Sequence, residues 1–268
     1  MSKSKQAPVE PGGPANINGI LLQVLWTLLQ AVEIRFLTTS IDESGSLSEA
    51  TLEVEPHTGG DLVVRRDGTR YVEQLKARSS GNAWSLQDVV TKVFPDLYLA
   101  VDLEQPNTLY RFVTESHAGR WSDAARFFAS LAQRECPEHK ILEALDDVAE
   151  VRIGRNAPTN PNTGGQAKEE PFWELERYSE RTLFKKIAAE VTNRKSTRDE
   201  SKEETFRKLW HFLARFQFDG NTNQESLLAK IDRSLLSVID SVDELVRTRD
   251  GLLMNLLRVS KSGRENRI

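Results

Sequence analysis

The chain has 268 residues, 38% of them hydrophobic and 28% charged, enough to bury one large core or two modest ones. Its single cysteine, Cys136, excludes a disulfide framework or a zinc cluster of several thiolates and fits a reducing, cytoplasmic compartment. A formal charge of −4 excludes a surface that is basic all over, so any nucleic-acid contact must use a local basic patch.

Residues 1–15 are polar and rich in Pro and Gly, without the apolar run of a secretion signal, and read as a flexible leader. From a cap at Asn16 or Asn18 the pattern predicts a buried helix to about Leu37. Gln23, Thr27, Gln30, Glu33 and Arg35 interrupt it, so it is too polar to span a membrane. Three β-rich runs follow, Ala50 to Glu55, Asp61 to Arg66 and Thr69 to Arg78, with Asp67-Gly68 between the last two.

Trp84 to Ala100 has helical spacing, with Pro95 marking a break or a second start. Leu109 to Thr114 reads as a strand and Trp121 to Gln133 as an amphipathic helix. Residues 155–170 hold almost no apolar side chain and read as an exposed loop. Beyond them 171–268 looks wholly helical, in segments from Phe172 to Val191, Glu203 to Phe216 and Gln224 to Leu257. The expected architecture is α/β, a mixed sheet flanked by helices over 16–154, followed by a helical C-terminal region.

Asp67-Gly68 is the strongest local signal, because both central positions of a two-residue hairpin turn need positive φ and these residues tolerate it. The turn sets Arg66 against Thr69, Val64 against Tyr71 and Leu62 against Glu73. Asp61 then meets Gln74, with Cβ atoms roughly 4.5–5.5 Å apart. Lys76 projects from the same face as Gln74, while Glu73 and Leu75 point the other way. A three-residue loop with a bulge would shift the pairing by one and bring Glu73 forward instead.

Asp61, the Gln74 amide and the Leu75 backbone carbonyl form a set of hard oxygens suited to Mg²⁺. Lys76 beside them can offset charge that develops on a phosphate, which is the division of labour phosphodiester hydrolysis needs. Arg65, Arg66, Arg70 and Arg78 lie on the same hairpin of an otherwise acidic chain and are the candidate DNA contacts. The plain alternative is a surface hairpin whose Asp61 and Lys76 form a weak salt bridge. His57 is a lone loop histidine, and His117, His139 and His211 share no zinc-ligand spacing with Cys136. Trp84, Trp121, Trp173 and Trp210 sit at helical apolar positions and read as core.

The order of a helix with Gly19 and Gln23, then LEVEP, GGDLVV, YVEQLKAR, a Trp-containing helix and LYRFVTE resembles the PD-(D/E)xK nuclease domains of bacterial antiphage systems. These include the Mrr-like enzymes and the effector domains of CBASS and Avs proteins. The resemblance covers roughly residues 15 to 135. It implies a restriction-endonuclease-like core that cuts double-stranded DNA with Mg²⁺, or Mn²⁺ in its place. Asp61 stands at the metal-binding aspartate, and Gln74 and Lys76 at a Q-x-K form of the final motif. Glu33 and Glu55 are the candidates for an assisting carboxylate, and Gln23 for a polar helix residue facing the site. Such domains are usually switched on by oligomerisation or by a sensor. No Walker A pattern occurs here, so a homo-oligomer, a separate sensor protein or a further C-terminal domain is expected. Gln74 in place of an acidic ligand keeps a second reading open, an inactive nuclease-like scaffold or DNA-binding adaptor.

Overall fold

The computed structural model describes residues 14–37, 50–56, 59–77, 83–156, 173–193, 200–237, 239 and 241–265. His57 and Arg78, most of the leader and most of the expected loop at 155–170 therefore lie outside the described residues. The first helix, α1 (Pro14–Leu37), begins at Pro14, a residue suited to a helix start, so Asn16 and Asn18 lie inside it rather than capping it.

Strands β1 (Thr51–Val54), β2 (Leu62–Arg66) and β3 (Thr69–Leu75) form an antiparallel meander. Helices α2 (Leu86–Lys92) and α3 (Phe94–Tyr98) follow, and Pro95 starts the second as its fixed φ allows. They carry the chain over to β4 (Thr108–Val113), which runs parallel to β3. After α4 (Ser122–Ala132) and a single 3-10 turn, β5 (Val151–Asn156) pairs with β6 (Trp173–Tyr178) in a separate two-stranded sheet. Helices α5 (Glu180–Asn193) and α6 (Lys202–Ala214) lead to β7 (Phe216–Asp219), and α7 (Gln224–Leu236) and α8 (Val242–Glu265) complete the chain.

The expectation of an all-helical region from 171 onward is corrected at two places. Residues 173–178 form strand β6, and β7 joins the central sheet parallel to β4, giving the order β1-β2-β3-β4-β7. β7 has only four residues, Phe-Gln-Phe-Asp, and its two rings pack against the buried cluster beneath the sheet. Helices α5 and α6 bury Phe184, Leu209 and Phe212 in that same cluster.

The sheet separates two apolar layers, as the period of two along each strand requires. Val63, Val72 and Phe112 face α2 to α6. Leu62, Val64 and Leu75 face α1, α7 and α8. One charge is sunk in the second layer. Glu73 is fully buried, accepts from Trp26 Nε1 at 2.5 Å and pairs with Arg111 at 2.9 Å. Burial pushes its carboxyl up, and Arg111 and Trp26 pull the other way. Tyr71 lies between Arg111 and Arg66, whose guanidinium carbons stand 4.9 and 5.1 Å from its ring centre.

Removing one member of a buried ion pair leaves the other uncompensated. Arg111→Met should lower the unfolding free energy by about 3–5 kcal/mol, whereas the double variant Glu73→Leu/Arg111→Leu should recover most of it. Urea denaturation of the three proteins checks this, and equal losses in the single and double variants would contradict it.

Candidate active site on the β2–β3 hairpin

The Asp67-Gly68 turn has φ of 51° and 69° at its two central residues, the left-handed values a two-residue hairpin needs. The pairing is the one the turn dictates, Arg66 with Thr69, Val64 with Tyr71 and Leu62 with Glu73. Asp61, just before β2, therefore lies against β3. Its amide donates to the Glu73 carbonyl at 2.8 Å.

Two glycines bring it there. Gly60 has φ of 80°, and a Cβ on it would sit 2.9 Å from Val72 Cγ1 and 3.0 Å from the Glu73 carbonyl oxygen. A Cβ on Gly59 would lie 2.4 Å from the Asp96 carbonyl oxygen. Only glycine lets the chain pass this close to β3 and α3 together. The Gly59-Gly60 pair before Asp61 was the sequence signal for this approach.

Asp61 Oδ2 accepts from Gln74 Nε2 at 2.5 Å and from the Leu75 amide at 2.7 Å. In an extended residue the N–H and C=O point to the same edge of the strand, so the Leu75 carbonyl is also on the Asp61 side. The Lys76 amide, one residue on, donates to Val113 on the other edge at 3.1 Å. Lys76 Nζ lies 3.8 Å from Asp96 Oδ2, with about a third of each side chain exposed (31% and 41%). Asp96, in the first turn of α3, is the residue that sequence reading missed. Nothing local ties it to the hairpin.

Burial raises the Asp61 carboxyl to about 6 from its ordinary 3.8. The Leu75 hydrogen bond and the Lys76 charge oppose the rise, and the charges of Asp96 and Glu55 add to it. Glu55 sits at the rim with φ of 51°, its amide donating to the Asp61 carbonyl at 2.8 Å.

Other expected members lie elsewhere. Glu33 pairs with Arg66 at 2.8 Å on the α1 side of the sheet, the face opposite Asp61 and Gln74, because α1 packs there. Gln23 lies on the same helix, three residues before Trp26. Of the three candidate arginines among the described residues, Arg66 is engaged with Glu33, Arg70 is buried and Arg65 is exposed. Cys136 is half-buried, and burial raises its thiol, which disfavours a nucleophilic role.

The donor set fits a hard divalent cation in kind: one carboxylate, one amide oxygen reached by turning the Gln74 amide, and one backbone carbonyl. Among the described residues, no group of three or more His, Cys, Asp or Glu side chains is placed to hold a metal ion. No helix among them is long and apolar enough to cross a membrane. Comparisons with protein-family models, with curated proteins and with solved structures give no match.

A carboxylate whose folded-state pKa is raised favours folding while protonated, below pH ~4, and loses that contribution as pH climbs through about 6. The stability of Asp61→Asn relative to wild type, measured without metal, should therefore rise by about 2 kcal/mol between pH 4 and pH 7. Parallel stability–pH profiles for the two proteins would contradict it.

Proposed function

We propose that this chain is a metal-dependent endonuclease of the PD-(D/E)xK type that hydrolyses double-stranded DNA, the effector of a prokaryotic antiviral defence system switched on by oligomerisation. The observation that carries the reading is the meeting of Asp61, Gln74 and the Leu75 backbone at the open end of the β2–β3 hairpin, with Lys76 on the same face as Gln74. The element order α1-β1-β2-β3, then helices, then a parallel β4 fits a restriction-endonuclease-like core. The defence role and the DNA substrate rest on the resemblance of the sequence motifs. Val246, Leu252 and Met254, exposed on α8, are apolar surface of the kind that supports self-association.

Mg²⁺ held by Asp61, Gln74 and the Leu75 carbonyl would polarise the scissile phosphate and acidify a water molecule. Asp61 must be ionised to hold the cation, so cation affinity rises with pH up to about 6 and levels off above it. Lys76 is held near the site by Asp96, and its ammonium offsets the negative charge that builds on the phosphorus oxygens. Asp96 acts through Lys76 and is a positioning residue.

One observation favours a second reading, an inactive nuclease-like scaffold or DNA-binding adaptor. Gln74 donates its N–H to Asp61, and among the described residues no group of three or more His, Cys, Asp or Glu side chains is placed to hold a metal ion. A plasmid-nicking assay with Mg²⁺ or Mn²⁺ separates the two. Wild type should nick plasmid with either ion, and Lys76→Ala should lose activity by about 100-fold or more while keeping its circular dichroism spectrum and unfolding midpoint. Undiminished cleavage by Lys76→Ala would overturn the assignment, and a metal-independent absence of cleavage in wild type would favour the scaffold.

A further inference from the structure

At the far end of the same hairpin, Gly68 of the turn and the loop before β4 border an open cavity of about 310 Å³ lined by Arg65, Thr69, Arg70, Gln105 and Asn107 among others. Arg70 is only 8% exposed. Its Nη1 donates to the Ala100 carbonyl at 3.2 Å, and its Nε, shielded from solvent, has no hydrogen-bond partner among the described residues. Arg65 stands directly opposite Arg70 in the β2–β3 ladder, placing two like charges on one cross-strand pair.

Both features are unfavourable as they stand. A buried N–H without an acceptor costs on the order of 1–3 kcal/mol, and like charges facing each other across a ladder repel. Asp102 and Glu53 lie near enough for their charges to support the Arg70 cation, yet burial and the Arg65 charge still lower its proton affinity. Neither carboxylate bonds to Arg70 among the described residues, and the Asp102 side chain is taken by Gln105 Nε2 at 2.8 Å. An oxyanion seated between the two guanidiniums would neutralise the pair.

We propose that this cavity is a phosphate-binding pocket, in which Arg70 and Arg65 grip one phosphoryl group and the side chains of Thr69 and Asn107 supply hydrogen bonds at its wall. Guanidinium groups match phosphate oxygens as paired donors, and the cavity is large enough for a phosphoryl group and one neighbour. The same chemistry suits a phosphate of a DNA strand or the phosphate of a free nucleotide. The pocket lies four residues along β2 from Asp61, about 13 Å at the usual strand rise, and is separate from the metal site. It stands whether or not the chain cleaves DNA.

The test uses the whole chain in metal-free buffer containing EDTA. Pyrophosphate is titrated by thermal unfolding against sodium chloride of matched ionic strength, and a short labelled DNA duplex by fluorescence anisotropy, for wild type, Arg70→Gln and Arg65→Gln. Saturating pyrophosphate should raise the wild-type unfolding temperature by about 2 °C or more, and both variants should lose that rise. Arg65→Gln, an exposed position, carries the test if Arg70→Gln fails to fold. A parallel fall in duplex affinity assigns the pocket to a strand phosphate, and unchanged duplex affinity assigns it to a free phosphate compound. No rise in wild type beyond the chloride control, or a rise that persists in the variants, overturns the proposal.

Discussion

Two donors on β3, the Gln74 side-chain amide and the Leu75 backbone amide, hold the Asp61 carboxylate against the edge of the hairpin. That contact needs a fixed register, because a slip of one residue would replace Gln74 by Glu73 and turn Lys76 to the other face. It also needs the Gly59-Gly60 passage, which brings the chain closer to β3 and α3 than any side chain would permit. Asp61 is then partly withdrawn from water, and the Leu75 hydrogen bond and the Lys76 charge do not offset the cost. Its proton affinity rises as a result.

Neighbouring residues on one strand take opposite roles because strand side chains alternate. Glu73 points into the α1 layer and is answered there by Arg111 and Trp26, so it is a structural charge with its partners in place. Gln74, one residue on, points to the α3 side and meets Asp61. The Arg65–Arg70 pair at the turn has the character of the Asp61 end with the sign reversed, two cations without a bonded counter-charge among the described residues. One hairpin thus carries a carboxylate whose burial outweighs its partners at the open end, and a buried guanidinium in the same position at the closed end.

The hairpin was legible because its causes are local. Asp67-Gly68 tolerates positive φ, alternation fixes the faces, and from these two rules the partners of Arg66, Val64 and Leu62 follow. Pro95 likewise marked the start of α3. β7 was not legible, since Phe216 to Asp219 is too short to display a period and its parallel pairing with β4 spans about a hundred residues of chain. β6 was hidden for a similar reason, next to a strongly helical run. Glu33 was a candidate because relatives of the resembled family often supply a carboxylate from the first helix. That habit does not say which face of the sheet this side chain meets; here it meets Arg66. Asp96 reaches Lys76 only through the tertiary path of α3, which no spacing rule reports.

The central claim is that Asp61, Gln74 and the Leu75 carbonyl form a divalent-cation site. A crystal of the full chain soaked in Mn²⁺ above pH 7, with data collected at the manganese absorption edge, tests it most directly. An anomalous peak bonded to the Asp61 carboxylate, with the Gln74 amide turned so that its oxygen faces the ion, is the predicted result. A site that stays empty at saturating Mn²⁺, with Gln74 still donating its N–H to Asp61, would contradict it.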